Sequence, residues 1–409
     1  MSIRNKLRSK LLNVLVSEKT QSARRSLAET RRRIGGQSHV VSAFLELDDP
    51  YSYLLACYLP ELVAAYDIDL RYYLTQSSSD EAFRPEAELL AVYADEDCAR
   101  IAGELGVPFL DKGAAPPVEH RRALIDYLAG IHGKPEFGKE LLEAITAYWR
   151  GDASGVASRV TRGADGRGNE LLTENQQRLL EMGHYNTATL HYGGEWYWGV
   201  DRLPYLVERL DSLAVRREGA RLAKLASIRQ VMQVSLPIAP PSAARELPPL
   251  ELFFAFRSPY SYLGLGRIFA IADAFRLKLV IRPVLPMVMR GMQVPKAKMA
   301  YIASDTSREA RRHGIPFGQF ADPVGTGVER CLAVFYYAES ERRERDFVLS
   351  AGKAIWANGI DVATDAGMRQ VASESALFWP DVLAAMQEDA WRSRVEENRK
   401  SCAMQEKGS

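Results

Sequence analysis

Two stretches of the sequence, around residues 49 and 258, repeat each other closely enough to predict a tandem fold. The first reads LELDDPYSYLLACYLPELVAAYDIDLRYYL, and the second reads LFFAFRSPYSYLGLGRIFAIADAFRLKLVI. Asp49 and Ser258 lie 209 positions apart, and Tyr66 and Phe275 keep that separation. Three further pairs stay close to the same register: Pro85 with Pro295, Gly106 with Gly314, and Trp149 with Trp356. The repeat indicates an internal duplication in which each copy is a structural unit.

Composition predicts where the copies begin and end. Residues 235–249 contain five prolines and two serines, which favours an extended connector. Residues 1–38 contain ten Lys or Arg and two Glu, with apolar residues at helical spacing. We expect this basic amphipathic extension to pack on the body or on a partner, with a transit peptide or a membrane-surface helix as alternatives. The predicted divisions are therefore an extension at 1–38, copy one at 39–234, a linker at 235–249 and copy two at 250–409.

The overall composition excludes several classes of function. Hydrophobic residues make up 47% and charged residues 26% of the chain, which is typical of a globular protein. The formal net charge of +1 gives no broad field for binding nucleic acid. The apolar stretches are too short for an integral membrane segment. The four cysteines lie far apart, with no CxxC pair and no metal-ligand spacing, so we predict no metal site and a cytoplasmic location.

Each copy begins with a strand–helix–strand pattern. Apolar strands are predicted at residues 40–47 and 250–256, and second strands at 68–74 and 277–285. Ser258 followed by Pro259 is a strong helix start, and Asp49 with Pro50 takes the same place in copy one. Since one helix connects the two strands within about 35 residues, the strands should be parallel.

A long helical stretch follows in each copy, at residues 85–185 and 295–400. Only copy one then returns to a hairpin, at 187–192 and 195–197 around Gly193 and Gly194, before a last helix near Asp201. This order predicts an α/β protein of two tandem thioredoxin-like domains. Each has a large helical insertion, and the second copy is truncated at its C-terminus.

The turn after the first strand is where thioredoxin-like redox proteins carry CxxC, with the first cysteine at a helix N-terminus. In copy two the four residues are Ser258-Pro259-Tyr260-Ser261, so disulfide exchange at this turn is excluded. The helix N-terminus still favours an anion. The turn would therefore suit a thiolate brought by another molecule.

The motifs around this turn resemble a known family. FFAFRSPYSYLGL is similar to the opening of the kappa-class glutathione transferases and 2-hydroxychromene-2-carboxylate isomerases, which belong to the DSBA-like thioredoxin-fold family. RPVLP at 282–286, KMAYIASDTSR at 298–308 and AIWANGIDV at 354–362 match further landmarks in order, and GGEWYWGVDRL at 193–203 resembles the closing hairpin and helix. The resemblance covers most of residues 40–210 and 250–400.

The resemblance implies a glutathione-dependent transferase or isomerase acting on a small aromatic or conjugated acid. Ser258 would hold the glutathione thiolate, whose addition to the conjugated system permits bond rotation before elimination. Tyr260 and Tyr262 would form walls of the pocket. The charged residues that could contact glutathione or an acidic substrate are Arg290, Lys298, Asp305, Arg308 and Arg330 in copy two and Asp201 in copy one.

Structural roles for the same residues remain open. Ser258 can serve only as a helix cap, and Tyr260 and Tyr262 only as packing. Asp305 and Arg308 are three residues apart on a predicted helix, where a surface ion pair explains them equally well. Two other classes of function also remain: a non-catalytic pseudoenzyme or binding module on the same fold, and a thiol-disulfide oxidoreductase.

Copy one departs from the family pattern at two positions. Asp49 replaces the serine and would repel a thiolate. Ala188 stands where the family has its cis-proline, so the peptide bond preceding it should be trans. Copy one is therefore expected to be a degenerate, non-catalytic copy, paired with copy two as an intrachain pseudo-dimer.

Overall fold

The computed structural model of the chain describes residues 3–109, 118–161, 166–233 and 247–405. Contacts divide the chain into two compact units. The N-terminal unit is Ala23–Val234, and the C-terminal unit combines Met1–Ser22 with Ser235–Ser409. Residues 235–246 of the predicted linker lie outside the described residues.

Two helices come before the first strand: α1 (Ile3–Val16) and α2 (Glu18–Ile34). The first helix packs within the C-terminal unit, where Asn13 Oδ1 accepts the backbone N–H of Phe320 at 2.8 Å. The carbonyl of Val16 accepts the Ser307 hydroxyl at 3.3 Å. Most of α2 belongs to the N-terminal unit.

The N-terminal unit is built on a four-stranded sheet. Its strands are β1 (Val40–Leu45), β2 (Asp69–Leu74), β3 (Thr189–Tyr192) and β4 (Glu195–Trp198), in the spatial order β2-β1-β3-β4. Strand β1 runs parallel to β2 and antiparallel to β3, and β3 and β4 form an antiparallel hairpin. The predicted parallel pair and hairpin are therefore confirmed.

Two short helices, α3 (Pro50–Ala56) and α4 (Leu59–Ala65), connect β1 to β2. Helix α3 begins at Asp49, whose side chain accepts the backbone N–H groups of Tyr51 and Ser52. Pro60 lies in the first turn of α4. A proline lacks the N–H that would continue the preceding helix, so the connection breaks into two helices here.

The remaining helices of this unit pack around the sheet and close its core. Trp149 is buried in that core, and its indole N–H donates to the carbonyl of Leu47 at 2.9 Å. After β4 comes a 3₁₀ turn at Val200–Arg202. The helices are α5 (Ala87–Leu105), α6 (Val118–Gly130), α7 (Phe137–Trp149), α8 (Ala153–Val160), α9 (Gly168–Glu181), α10 (Leu203–Asp211) and α11 (Ala223–Met232).

The C-terminal unit opens with β5 (Leu250–Phe254), α12 (Pro259–Ala274) and β6 (Leu279–Pro283). The two strands are parallel, as the sequence predicts. A 3₁₀ turn at Met287–Arg290 follows, and then a largely helical stretch with its own buried core. Its helices are α13 (Lys296–Arg312), α14 (Thr326–Ser340), α15 (Glu344–Trp356), α16 (Asp365–Glu374), α17 (Trp379–Ala385) and α18 (Trp391–Gln405).

The two units contain matching side-chain hydrogen bonds at matching places in their strand–helix–strand segments. Each has a tyrosine that donates to an aspartate, a second tyrosine that donates to a proline carbonyl, and an asparagine that donates to the last carbonyl of its second strand. The pairs are Tyr51–Asp97 and Tyr260–Asp305, Tyr53–Pro108 and Tyr262–Pro316, and Asn175–Leu74 and Asn398–Pro283.

Within the described ranges, no helix is both long enough and apolar enough to cross a membrane.

Candidate functional site

Ser258 lies just beyond the carboxyl end of β5, at the start of α12. Its backbone is extended, with φ −96° and ψ 114°, and Asp49 in the N-terminal unit has φ −96° and ψ 115°. The Ser258 Oγ accepts the backbone N–H of Ser261 at 3.2 Å. The prediction that Asp49 and Ser258 are both helix N-caps is therefore confirmed.

The Ser258 hydroxyl is half-buried, and its capping bond uses only the acceptor side of the oxygen. Among the described residues, no atom accepts the hydroxyl hydrogen. A serine hydroxyl can donate one hydrogen bond while it accepts another. Ser258 can therefore cap α12 and donate to an anion at the same time.

Arg257 directly precedes Ser258 and fixes the turn through an ion pair. This role was not predicted from the sequence. Its guanidinium forms a bidentate pair with Asp322, with Nε–Oδ1 at 2.7 Å and Nη2–Oδ2 at 3.0 Å. The side chains are 14% and 9% exposed, so the pair is shielded from water. Because the two residues lie 65 positions apart, no local pattern could have predicted the contact.

Three of the predicted residues form one hydrogen-bonded cluster. The Tyr260 hydroxyl donates to Asp305 Oδ2 at 2.8 Å, and Arg308 Nη2 donates to Asp305 Oδ1 at 2.6 Å. Asp305 is 1% exposed, so its ion pair with Arg308 is buried rather than the surface pair that was the alternative. Tyr260 itself is 39% exposed and lies two residues after Ser258.

The other predicted residues lie outside this cluster. Tyr262 is buried and donates to the Pro316 carbonyl at 2.9 Å, which is the packing role, and burial raises its pKa. Arg330 pairs with Asp365 at 2.8 Å. Lys298 is half-buried, and burial lowers its pKa. Arg290 is exposed at the end of the 3₁₀ turn after β6.

In the corresponding turn of the N-terminal unit, Asp49 takes the place of Ser258 and closes the turn to an external anion with its own carboxylate. Its carboxylate accepts the Ser52 hydroxyl at 2.7 Å and the Thr187 hydroxyl at 3.1 Å, besides the N–H groups of Tyr51 and Ser52. Burial raises the pKa of Asp49, and the hydrogen bonds from Ser52 and Thr187 oppose that rise. This turn already holds an anion of its own.

Glu46 is a second buried carboxyl group at this turn, and sequence reasoning missed it. It follows β1 directly and accepts the Ser77 N–H at 3.0 Å, and its Oε2 lies 3.1 Å from the Thr187 hydroxyl oxygen. Burial, with the charges of Asp49 and Asp48, raises its pKa to about 7. The only signal in the sequence is an acidic residue at the end of an apolar strand, three positions before the cap.

The single hydrogen of the Thr187 hydroxyl indicates how the two carboxyl groups share this site. The Thr187 oxygen lies 3.1 Å from Glu46 Oε2 and 3.1 Å from Asp49 Oδ2, but its hydroxyl has one hydrogen. Both contacts become hydrogen bonds when Glu46 is protonated and donates to Thr187, which then donates to Asp49. Two ionised carboxylates at one buried site would repel each other, which also favours a protonated Glu46.

Two further residues of the N-terminal unit were singled out in the sequence. The peptide bond preceding Ala188 is trans, as predicted, and Ala188 itself has a left-handed φ of +54°. Asp201 lies in the 3₁₀ turn after β4, is half-exposed and pairs with Arg202. Within the described residues, no group of three or more His, Cys, Asp or Glu could hold a metal ion.

Comparison with known proteins shows the fold of the C-terminal half. Residues 249–405 match the family model of the DSBA-like thioredoxin domain. One similar solved structure is a 2-hydroxychromene-2-carboxylate isomerase, at 23% identity and a TM-score of 0.32, over 37% of this chain and 77% of that chain. Another is a putative protein disulfide isomerase from Nitrosomonas europaea, at 16% identity and a TM-score of 0.32, over 38% and 79%. A search of curated proteins finds no match.

Proposed function

We propose that the DSBA-like domain of the C-terminal half is a glutathione-dependent isomerase or transferase of the 2-hydroxychromene-2-carboxylate isomerase type. Its substrate would be a small aromatic or conjugated acid. The observation that carries the proposal is the Ser258 hydroxyl, which caps α12 through its oxygen and keeps its hydrogen for a ligand.

The residues of the turn fit glutathione better than a redox disulfide. Serines occupy both positions 258 and 261, so the sulfur must come from the ligand. Bound glutathione supplies a thiolate nucleophile. Ser258 donates a hydrogen bond to that sulfur, and the N-terminus of α12 favours its negative charge. The same serines argue against a thiol-disulfide oxidoreductase.

The charged residues divide into two roles under this proposal. Asp305 and Arg308 neutralise each other and fix the Tyr260 hydroxyl, so under this proposal they orient the Tyr260 ring. Arg290, Lys298 and Arg330 remain the candidates for binding the carboxylates of glutathione or of the substrate.

We also infer that the N-terminal unit is a duplicated, non-catalytic copy of the domain. The matching hydrogen bonds of the two units support the duplication. The buried Asp49 carboxylate supports the loss of catalysis, because it occupies the place of the thiolate and would repel it. Pairing of the copies as a pseudo-dimer and the cytoplasmic location stay predictions.

The substitution Ser258→Ala tests the function. A charge-assisted hydrogen bond is worth roughly 1.5–3 kcal/mol, so its loss should raise the pKa of the bound thiol by about one to two units. Ser258→Asp should raise that pKa further, because it adds a repelling carboxylate. The measurement is thiolate absorbance of bound glutathione as a function of pH.

Ser261→Ala is the matched control, because it removes the other serine hydroxyl of the same turn and should leave the thiol pKa unchanged. Circular dichroism checks that loss of the Ser258 cap has not unfolded α12. If the thiol has the same pKa in wild type and in Ser258→Ala, Ser258 is only a helix cap, and the non-catalytic alternative holds.

A further inference from the structure

The N-terminal unit contains a cavity of about 640 Å³ that is separate from the Asp49 turn. Cys57, at the C-terminal end of α3, lies in its wall. Asp49 caps the opposite end of the same helix, about 12 Å away at 1.5 Å per residue. The volume is within the range of about 300–1,000 Å³ that is usual for small-molecule sites.

Within the described part of the chain, some charged side chains around this cavity have a partner of opposite charge or cap a helix, whereas others do not. Arg159 is neutralised by Glu140 at 3.0 Å and Glu143 at 2.6 Å. Asp152 caps α8 by accepting the N–H of Gly155. Glu61, near Lys224, accepts the backbone N–H groups at the start of α11.

Two cations in the lining have no such counterpart. Among the residues that the structure describes, no carboxylate forms an ion pair with Arg150 or Lys224. Arg150 Nε donates instead to the Tyr53 hydroxyl at 3.3 Å, and that hydroxyl donates to the carbonyl of Pro108 in the cavity wall. Both cations are exposed, so they stand at the mouth of the cavity.

The Cys57 thiol does not supply the missing negative charge. Burial raises its pKa, although Tyr53, Arg150 and Lys224 act in the opposite direction. The thiol is therefore neutral near pH 7. The positive charge of Arg150 and Lys224 remains available to an anion from solution.

The lining of the cavity also contains apolar side chains. Leu105, Val107, Pro108, Leu142 and Ala147 line it. Apolar side chains together with a few polar or charged groups are typical of the lining of small-molecule sites.

We propose that this cavity binds a small amphipathic organic acid. Arg150 and Lys224 hold its carboxylate at the mouth, and its apolar body lies against Leu105, Val107 and Leu142. Cys57 lies in the wall beside Arg150, so an occupant covers its thiol. The N-terminal unit thus keeps a ligand site although its turn at Asp49 is closed.

The test uses the full chain and the dye 8-anilinonaphthalene-1-sulfonate, whose aromatic rings carry one anionic group. We expect saturable binding by fluorescence, weakened about tenfold in Arg150→Gln and in Lys224→Gln, since each loses a charged hydrogen-bond donor. Arg221→Gln, three residues from Lys224 on an exposed position outside the lining, is the matched control and should bind as wild type does. Equal affinity in all four proteins would overturn the proposal.

Cys57 reports whether the dye occupies this cavity. Bound dye should slow alkylation of Cys57 by N-ethylmaleimide at least fivefold by peptide mass spectrometry, and should leave the half-buried Cys402 unaffected. An unprotected Cys57 would place the dye elsewhere and refute the site. Lys224→Gln removes only an exposed side chain, so it keeps the test decisive if Arg150→Gln does not fold.

Competition identifies the class of ligand. Naphthalene-2-carboxylate should displace the dye, whereas naphthalene-2-carboxamide and inorganic phosphate at the same concentration should not. Displacement by the amide would show that charge is irrelevant, and displacement by phosphate would reduce the site to a bare anion site. Ser258→Ala should bind the dye normally, so failure of the proposed glutathione chemistry would leave this result intact.

Discussion

Glu46→Gln should stabilise the N-terminal unit, relative to wild type, by about 2–3 kcal/mol more at pH 8 than at pH 5. The wild-type carboxyl group is buried beside Asp49, and its pKa is raised from 4.5 to about 7. Glutamine keeps the shape and stays neutral at every pH. Its carbonyl oxygen can replace Glu46 Oε2, which contacts both the Ser77 N–H and the Thr187 hydroxyl.

The direction of this pH dependence follows from the state in which Glu46 keeps its proton. Between pH 4.5 and 7 the folded unit keeps the Glu46 proton while the unfolded chain has lost it. The wild-type stability therefore falls as the pH rises through this window, and it levels off above the folded pKa. Glu46→Gln lacks that fall, so the difference between the two proteins widens with pH.

Urea unfolding is monitored by hydrogen exchange of peptides that cover β1. This measures the stability of the N-terminal unit separately from that of the C-terminal unit. Glu104→Gln is the matched control, because Glu104 is exposed on α5. It should show the wild-type dependence on pH. A stability difference between Glu46→Gln and wild type that stays constant from pH 5 to pH 8 would contradict a protonated Glu46.

Arg257→Met should destabilise the C-terminal unit by about 3 kcal/mol. The bidentate pair with Asp322 is shielded from water, so removing the guanidinium leaves a carboxylate buried without its cation. Removing both partners should cost much less, because the charge that needed pairing is gone as well. The double variant Arg257→Met/Asp322→Leu should therefore recover most of the loss.

The measurement is the free energy of unfolding of the C-terminal unit, read from hydrogen exchange of peptides in α12. Arg267→Met removes an exposed arginine of the same helix and should change that free energy by less than about 0.5 kcal/mol. A loss in Arg257→Met as small as in this control would show that the ion pair does not anchor the Ser258 turn.

The sequence predicted the local parts of both units because each rests on a short-range rule. Ser258 followed by Pro259 defines a helix start, and Gly193 with Gly194 defines a hairpin, whatever surrounds them. The break at Pro60 was not predicted, because a single helix was expected between β1 and β2. Matching residues across the repeat also placed Asp49 and Ser258 in the same backbone conformation.

The parts that sequence reasoning missed depend on contacts between distant positions. Glu46 is an ordinary strand-end residue until Thr187, 141 positions later, joins it to Asp49. The cavity beside Cys57 needs walls from several helices. Periodicity marks a residue as facing inward, but it does not say which side chains meet there.

The C-terminal unit is discontinuous in sequence, since it includes α1 although residues 23–234 form the other unit. Val16 is synthesised 291 residues before Ser307, its hydrogen-bond partner. At about 5–20 residues per second, that interval on the ribosome is roughly 15–60 s. An isolated helix of 14 residues is marginal in water. During translation, the packing partners of α1 are therefore absent until the whole N-terminal unit has been synthesised. The N-terminal unit can fold before α1 does.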